Sequence, residues 1–164
     1  GVSMAREIAS NLADGYLTKL PDGSTFGEAL LAPTILYADV VRECQNAEID
    51  IHYLSNITGH GWRKIMRGTS SLSYVIETIP TPQPVFDFIQ EQSKNSTEEM
   101  YSNYNMGAGY AMYLPESEAQ KVIEIAKKCS VNAWVAGKVE EGAKQVVITP
   151  LDITFAGDTL EVRG

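Results

Sequence analysis

Soft metal ligands are scarce in this chain of 164 residues, which holds two cysteines, Cys44 and Cys129, and two histidines, His52 and His60. A structural zinc site takes four such residues at short paired spacings, so no metal site is expected. The cysteines stand far apart within apolar stretches and read as buried, reduced thiols. Basic residues are also in deficit: 13 Lys and Arg face 21 Asp and Glu, a net charge of -8. The field of such a chain repels polyanions, which excludes broad binding to nucleic acid or to an anionic membrane. No apolar run approaches the roughly 20 residues that span a bilayer, and no signal peptide opens the chain, so a cytoplasmic protein is expected. A Gly-x-x-x-x-Gly-Lys-Ser/Thr phosphate loop is missing, and no acidic cluster has an obvious magnesium spacing. The chain opens on Gly1-Val2-Ser3 without an initiator Met and reads as a fragment of something longer.

What is present is the composition of one globular domain, with 44% hydrophobic and 21% charged residues, enough to bury a core without staples. Met4, Ile8 and Leu12 share one face of a helix over Ser3–Leu12. Pro33 fits the start of a second helix in which Leu36, Val40 and Cys44 share a face. Ile49–Leu54 and Leu72–Ile79 read as strands, with a short helix at Trp62–Arg67 between them. The proline cluster Pro80–Pro84 is a rigid turn, and Val85, Phe86, Phe88 and Ile89 mark a helix after it. Ser96 with Glu99 forms a capping box that starts a helix through Tyr104. A strand at Tyr110–Leu114 follows, then an amphipathic helix opened by Pro115-Glu116 and carrying Ala119, Val122, Ile123 and Ala126. Val131–Val139 and Gln145–Ile148 are expected as strands joined by a turn at Glu140–Ala143. Ile153–Val162 is expected as a hairpin turning at Gly157-Asp158. The alternation of elements predicts a mixed α and β layered domain.

The chemistry-bearing stretch is Asn56-Ile57-Thr58-Gly59-His60-Gly61 and the helix after it. Glycines let the backbone approach a ligand closely, and a helix start aims free N–H groups at an anion. Arg63, Lys64 and Arg67 make this stretch a local cationic exception in an acidic chain, so a phosphate or carboxylate site is predicted. On helical spacing, Arg63 and Arg67 fall on one face. His60 is a candidate ligand contact, since an imidazole can donate or accept a proton, whereas His52 reads as structural. Asn105-Met106-Gly107-Ala108-Gly109 is a second small-residue loop, equally suited to ligand contact and to tight backbone packing. No catalytic residue is identifiable from spacing.

Taken in order, these segments resemble the C-terminal domain of aminoimidazole ribonucleotide synthase, a phosphoribosylformylglycinamidine cyclo-ligase. Leu30-Leu31-Ala32-Pro33-Thr34 with Tyr37 is similar to the family's LLxPTxIY segment, and Ile57–Gly61 to its HITGGG loop. Glu99-Met100-Tyr101 followed by Asn105–Gly109 is similar to EMYRTFNMGIG. Ala133-Trp134 with Gly137 resembles a family strand, and Val2–Arg6 the helix after its SNG turn. The likeness runs from Gly1 to about Ile148, within a single domain spanning residues 1–164 whose tail, 150–164, lies beyond it.

The resemblance implies an α/β three-layer domain with a mixed, largely antiparallel sheet and helices. It also implies a preceding N-terminal domain, absent from this chain, that binds most of the ATP and Mg2+ and forms a homodimer. The family closes an imidazole ring in purine biosynthesis, with ATP activating the formyl oxygen of formylglycinamidine ribonucleotide. Carried over, Thr58, Gly59 and Gly61 would border the cleft, with the Asn105-Met106-Gly107 turn in the same region. With the local chemistry, the candidate contacts for a phosphorylated ribonucleotide are Asn56, Thr58, Gly59, His60, Gly61, Arg63, Arg67, Asn105 and Gly107, and this chain alone would hold no cofactor. Several positions depart from the pattern. Asn56 replaces a histidine, His60 the middle glycine, and Ile35 and Ser102 two arginines. Lys64–Arg67 replaces an Asn-Ile-Pro-Arg stretch, with one residue deleted. Two alternatives therefore stay open: a small-molecule kinase of the same superfamily with another acceptor, and a non-catalytic binding or assembly module.

Overall fold

The computed structural model describes residues 2–160. The first helix, α1 (Val2–Asn11), buries Ala5, Ile8 and Ala9, with Met4 and Leu12 packed beside them, as its spacing predicts. A five-residue helix not anticipated from the sequence, α2 (Phe26–Leu30), follows. Its signal was there to be read: Thr25 accepts from Glu28 N while Glu28 accepts from Thr25 N (2.7 Å), a reciprocal capping box. The second expected helix, α3 (Ala38–Asn46), begins later than Pro33. Val40 and Cys44 are buried as expected, but Leu36 precedes the helix and stands 81% exposed. Pro33 thus lies in an exposed segment, not at a helix start.

Four of the strands form one sheet and two form another. β1 (Tyr53–Asn56) pairs antiparallel with β3 (Tyr110–Tyr113), Tyr53 opposite Tyr113 and Asn56 opposite Tyr110. β1 starts four residues later than Ile49 because Ile49 is drawn into the core between α3 and α6 (Ala119–Lys128). β2 (Leu72–Ile76) lies between β4 (Gly137–Glu141), antiparallel, and β5 (Gln145–Ile148), parallel. β6 (Ile153–Ala156) completes the order β4-β2-β5-β6 by antiparallel pairing with β5. The pairing is mixed and largely antiparallel, as expected, though divided into two sheets. The segment Glu140–Ala143 does not join neighbours, since β2 inserts between β4 and β5.

Two expected strands are shorter in fact. β2 stops at Ile76 because the N–H groups of Glu77 and Thr78 both donate to Ala136 O (2.8 and 3.0 Å), which ends the ladder. The stretch 131–136 is therefore outside any strand, and β4 begins only at Gly137, where a Cβ would strike the Val75 backbone. In the tail, the hairpin is β5 with β6 through Thr149–Leu151, and Gly157–Leu160 is a 3-10 turn in place of a second strand. Val162, its expected end, lies outside the described residues.

The remaining helices are α4 (Pro84–Ser93) and α5 (Thr97–Asn103). The proline cluster supplies the first residue of α4, where the missing N–H costs nothing. The Ser96–Glu99 box caps α5, with Glu99 N donating to Ser96 Oγ (3.1 Å). The main core gathers Phe26, Trp62, Met66 and Met100 with Val146 and Ile148, while a second cluster between α3 and α6 holds Val40, Cys44, Ile49, Val122 and Ala126. Cys44 and Cys129 are both free thiols; Cys44 is fully buried as expected, whereas Cys129, at the end of α6, is only half-buried. Among the described residues no helix is long and apolar enough to cross a membrane.

Candidate functional site

The turn after β1 is positioned by its neighbours rather than by its own sequence. Beyond Asn56, Ile57 donates its N–H to Gly109 O (2.9 Å), which sets the Thr58–Gly61 turn beside the Asn105–Gly109 turn. The buried Trp62 ties the two again: its indole N–H donates to Asn105 O (2.8 Å), and its ring meets Tyr101 edge-on at 5.0 Å. Asn105 Oδ1 in turn accepts from Gly107 N (3.0 Å), closing the second turn locally. The two loops singled out in the sequence, 50 residues apart, thus form one surface.

Backbone conformation explains the glycines. Gly61 has φ +51°, and a Cβ there would fall 2.8 Å from Ser102 C and 2.9 Å from Asn103 N, backbone atoms at the end of α5. Its neighbour His60 also adopts a left-handed φ, 77°. For a residue with a Cβ that conformation costs roughly 1–2 kcal/mol, so His60 carries the strain of a position suited to glycine.

The expected helix after the turn is a six-residue 3-10 segment, Gly61–Met66. Residues three apart eclipse in that geometry, so Arg63 and Arg67 do not share a face, which corrects the helical reading. Gly61 N–H donates to Thr58 O (2.8 Å) and is not available to a ligand. The N–H groups of Thr58, Gly59 and His60 meet no acceptor among the described residues. Lys64 Nζ donates to Thr58 Oγ1. Burial holds the Lys64 ammonium below its ordinary pKa, and the Arg67 charge adds to that.

Arg63 is the main correction. Its guanidinium donates to Ser102 O from Nε (3.1 Å) and from Nη2 (2.9 Å), and to Thr159 O from Nη1 (2.9 Å). It is a strut between α5 and the tail, not a free cation for an anion. Arg67 is exposed and borders a groove of about 1080 Å³ between the two sheets. His52, expected to be structural, is an exposed ring paired with Asp50 (Nε2 to Oδ2, 3.0 Å).

A smaller cavity, about 420 Å³, lies on the far side of the Asn105–Gly109 turn. Gly107 lines it, as do Ile35, Tyr37, Tyr110 and Trp134, which the sequence reading had not placed in a site. Of the other candidates, Asn56, Thr58–Gly61, Arg63 and Asn105 line neither concavity. Tyr37 stacks on Tyr110 (4.8 Å between centroids, 19° between planes), and a Cβ at Gly109 would overlap the Tyr37 hydroxyl. The signal for these residues was Tyr37 and Trp134 standing inside the quoted motifs, but their meeting depends on the chain crossing between β1 and β3.

Residues 2–149 match the family model described as AIR synthase related protein, C-terminal domain. A phosphoribosylformylglycinamidine cyclo-ligase of Methanocaldococcus jannaschii is 37% identical over 141 residues, covering 85% of this chain and 40% of the relative. The proteins of the same name from Methanopyrus kandleri and Rippkaea orientalis are 36% and 32% identical, over 90% and 93% of this chain and 42% and 46% of theirs. The chain spans less than half the length of these curated relatives. With a match over nearly its whole length and relatives above 30% identity, the chain belongs to the family of AIR synthase related C-terminal domains.

Proposed function

We propose that this chain is the substrate-cleft domain of an ATP-dependent cyclo-ligase of purine biosynthesis, acting on a phosphorylated ribonucleotide in the cytoplasm. In this reading a separate N-terminal domain holds most of the ATP and builds the homodimer. The observation that supports it is the meeting of three distant motif segments on one face: Tyr37 against Gly109, Ile57 on Gly109 O, and Trp62 on Asn105 O. The share of the chain's role is positioning. Free amides of Thr58, Gly59 and His60, with Lys64 and Arg67 nearby, offer donors to phosphoryl oxygens without reorganising. Among the described residues no group of three or more Asp, Glu, His or Cys fits a metal ion. In this reading the Mg2+ and ATP that the resemblance implies are held mainly by the preceding domain.

The commitment of Arg63 to backbone carbonyls, with Ile35 and Ser102 at positions where the family pattern has arginine, favours a second reading as a non-catalytic module. The enzyme that contains this chain, assayed for ADP release with formylglycinamidine ribonucleotide, tests both. Ribonucleotide-dependent release is expected. Release only with another phosphorylated acceptor would mark a kinase, and none with any acceptor would mark the module.

A further inference from the structure

The 420 Å³ cavity has a chemical character unlike that of the adjoining turn. Not one residue lining it carries a formal charge, in a chain of net charge -8. An anion placed there would lose its hydration without gaining a cation. Its walls are instead aromatic and flat. Tyr37 and Tyr110 are stacked against one another at 4.8 Å, and Trp134 stands at the same opening with Pro80 and Ile35. The Trp134 N–H is already used, donating to Thr78 O (3.2 Å), which holds the indole in place at the opening. Burial pushes both the Tyr37 and the Tyr110 phenols up, so they stay neutral at physiological pH. At the solvent-exposed rim stands one side-chain amide, that of Asn132, which offers both a donor and an acceptor. Gly107 and Gly109 also line it, and the absence of a Cβ at each lets Pro80 and Tyr37 pack close against the backbone. The volume falls within the range of roughly 300–1,000 Å³ typical of small-molecule sites.

We propose that this cavity is a binding site for a planar, uncharged, nitrogen-containing ring, stacked on the Tyr37–Tyr110–Trp134 wall with Asn132 reading its edge. The proposal rests on the reading of this face as a ligand surface and names the ring subsite within it, separate from the amides that would take a phosphate. Aromatic stacking of a base is insensitive to salt, whereas phosphate capture is not.

The test is titration of the chain with adenosine, ribose 5-phosphate and inorganic phosphate at low and high salt. Equilibrium dialysis and tryptophan fluorescence read the binding, with circular dichroism to check folding. Adenosine is expected to bind saturably, with affinity changing less than twofold between the salt concentrations. Trp134→Ala is expected to weaken it about tenfold or more. Ile35→Asp, in the exposed segment before α3, perturbs the cavity wall with little risk to the core and should weaken it several-fold. No saturable adenosine binding, binding that high salt removes, or undiminished binding in Trp134→Ala would overturn the proposal. Salt-sensitive ribose 5-phosphate binding without adenosine binding would refute the ring subsite alone. Adenosine binding without any phosphate response would instead refute the phosphate role of the Thr58–His60 turn.

Discussion

Replacing Gly61 by alanine separates the two kinds of glycine in the turn. At φ +51° a side chain costs roughly 1–2 kcal/mol from the left-handed conformation alone. The added Cβ would also overlap Tyr101 O and lie 2.8 Å from Ser102 C and 2.9 Å from Asn103 N. These are backbone atoms at the end of α5 and cannot rotate aside, so overpacking adds about 1–3 kcal/mol. Together the change should destabilise the chain by roughly 2–5 kcal/mol. For a chain of this size each kcal/mol lowers the melting temperature by about 2–4 °C, so a drop of roughly 5–15 °C is expected. Gly59→Ala is the internal control, because no atom lies within 4 Å of a Cβ there and its φ is not in the left-handed range. That variant should stay within about 1 kcal/mol of the parent, in either direction. Urea and thermal unfolding of both variants measure the difference. Equal stabilities would refute the claim that Gly61 is held by contact with α5.

Three further outcomes follow from the contacts. Arg63→Ala removes charged hydrogen bonds to Ser102 O and Thr159 O and should cost roughly 2–4 kcal/mol in urea unfolding, against about 0.5 kcal/mol or less for the exposed Arg67→Ala; comparable losses would contradict the strut. The Thr25 N–H and hydroxyl hold the Glu28 carboxyl below its ordinary value of 4.5, so its contribution to stability is present above that pH and fades as pH falls through the lower, folded value. The stability gap between the parent and Glu28→Gln should accordingly narrow on acidification below pH 4.5, and a gap that stays constant as pH falls would exclude the charged cap. Burial, with Cys129 nearby, pushes the Cys44 thiol up, so alkylation of the native chain at pH 8 should label Cys129 alone by mass spectrometry, and urea should release the second site.

What the sequence disclosed divides by the range of the interaction. The Ser96–Glu99 cap, the prolines before α4 and the apolar face of α6 are set within a few residues, and each element forms near where its pattern puts it, though a 3-10 turn over Glu116–Glu118 delays α6 from the expected Pro115-Glu116 to Ala119. The insertion of β2 between β4 and β5 joins residues some 70 apart, and no local pattern distinguishes it from a simple hairpin. Arg63 shows the same limit at the candidate site. Its place near the glycines was legible, but its hydrogen bonds run to residues 39 and 96 positions away. A charged residue in a polar stretch looks free until the carbonyls that receive it are known. Tyr37 and Trp134 escaped notice as site residues for the converse reason, since apolar rings read as core until a cavity is seen between them.

The match to the family stops at residue 149, yet the polypeptide keeps contributing to the architecture beyond it. β6 covers the outer edge of β5, and Thr159 O receives Arg63 from the segment that follows the glycine turn. A recombinant domain trimmed at the homology boundary would bare the hydrogen-bonding margin of a buried strand and leave a guanidinium without one of its acceptors. Such a protein would be prone to edge-to-edge self-association, and its glycine turn would lose a brace that the shared portion of the sequence does not contain.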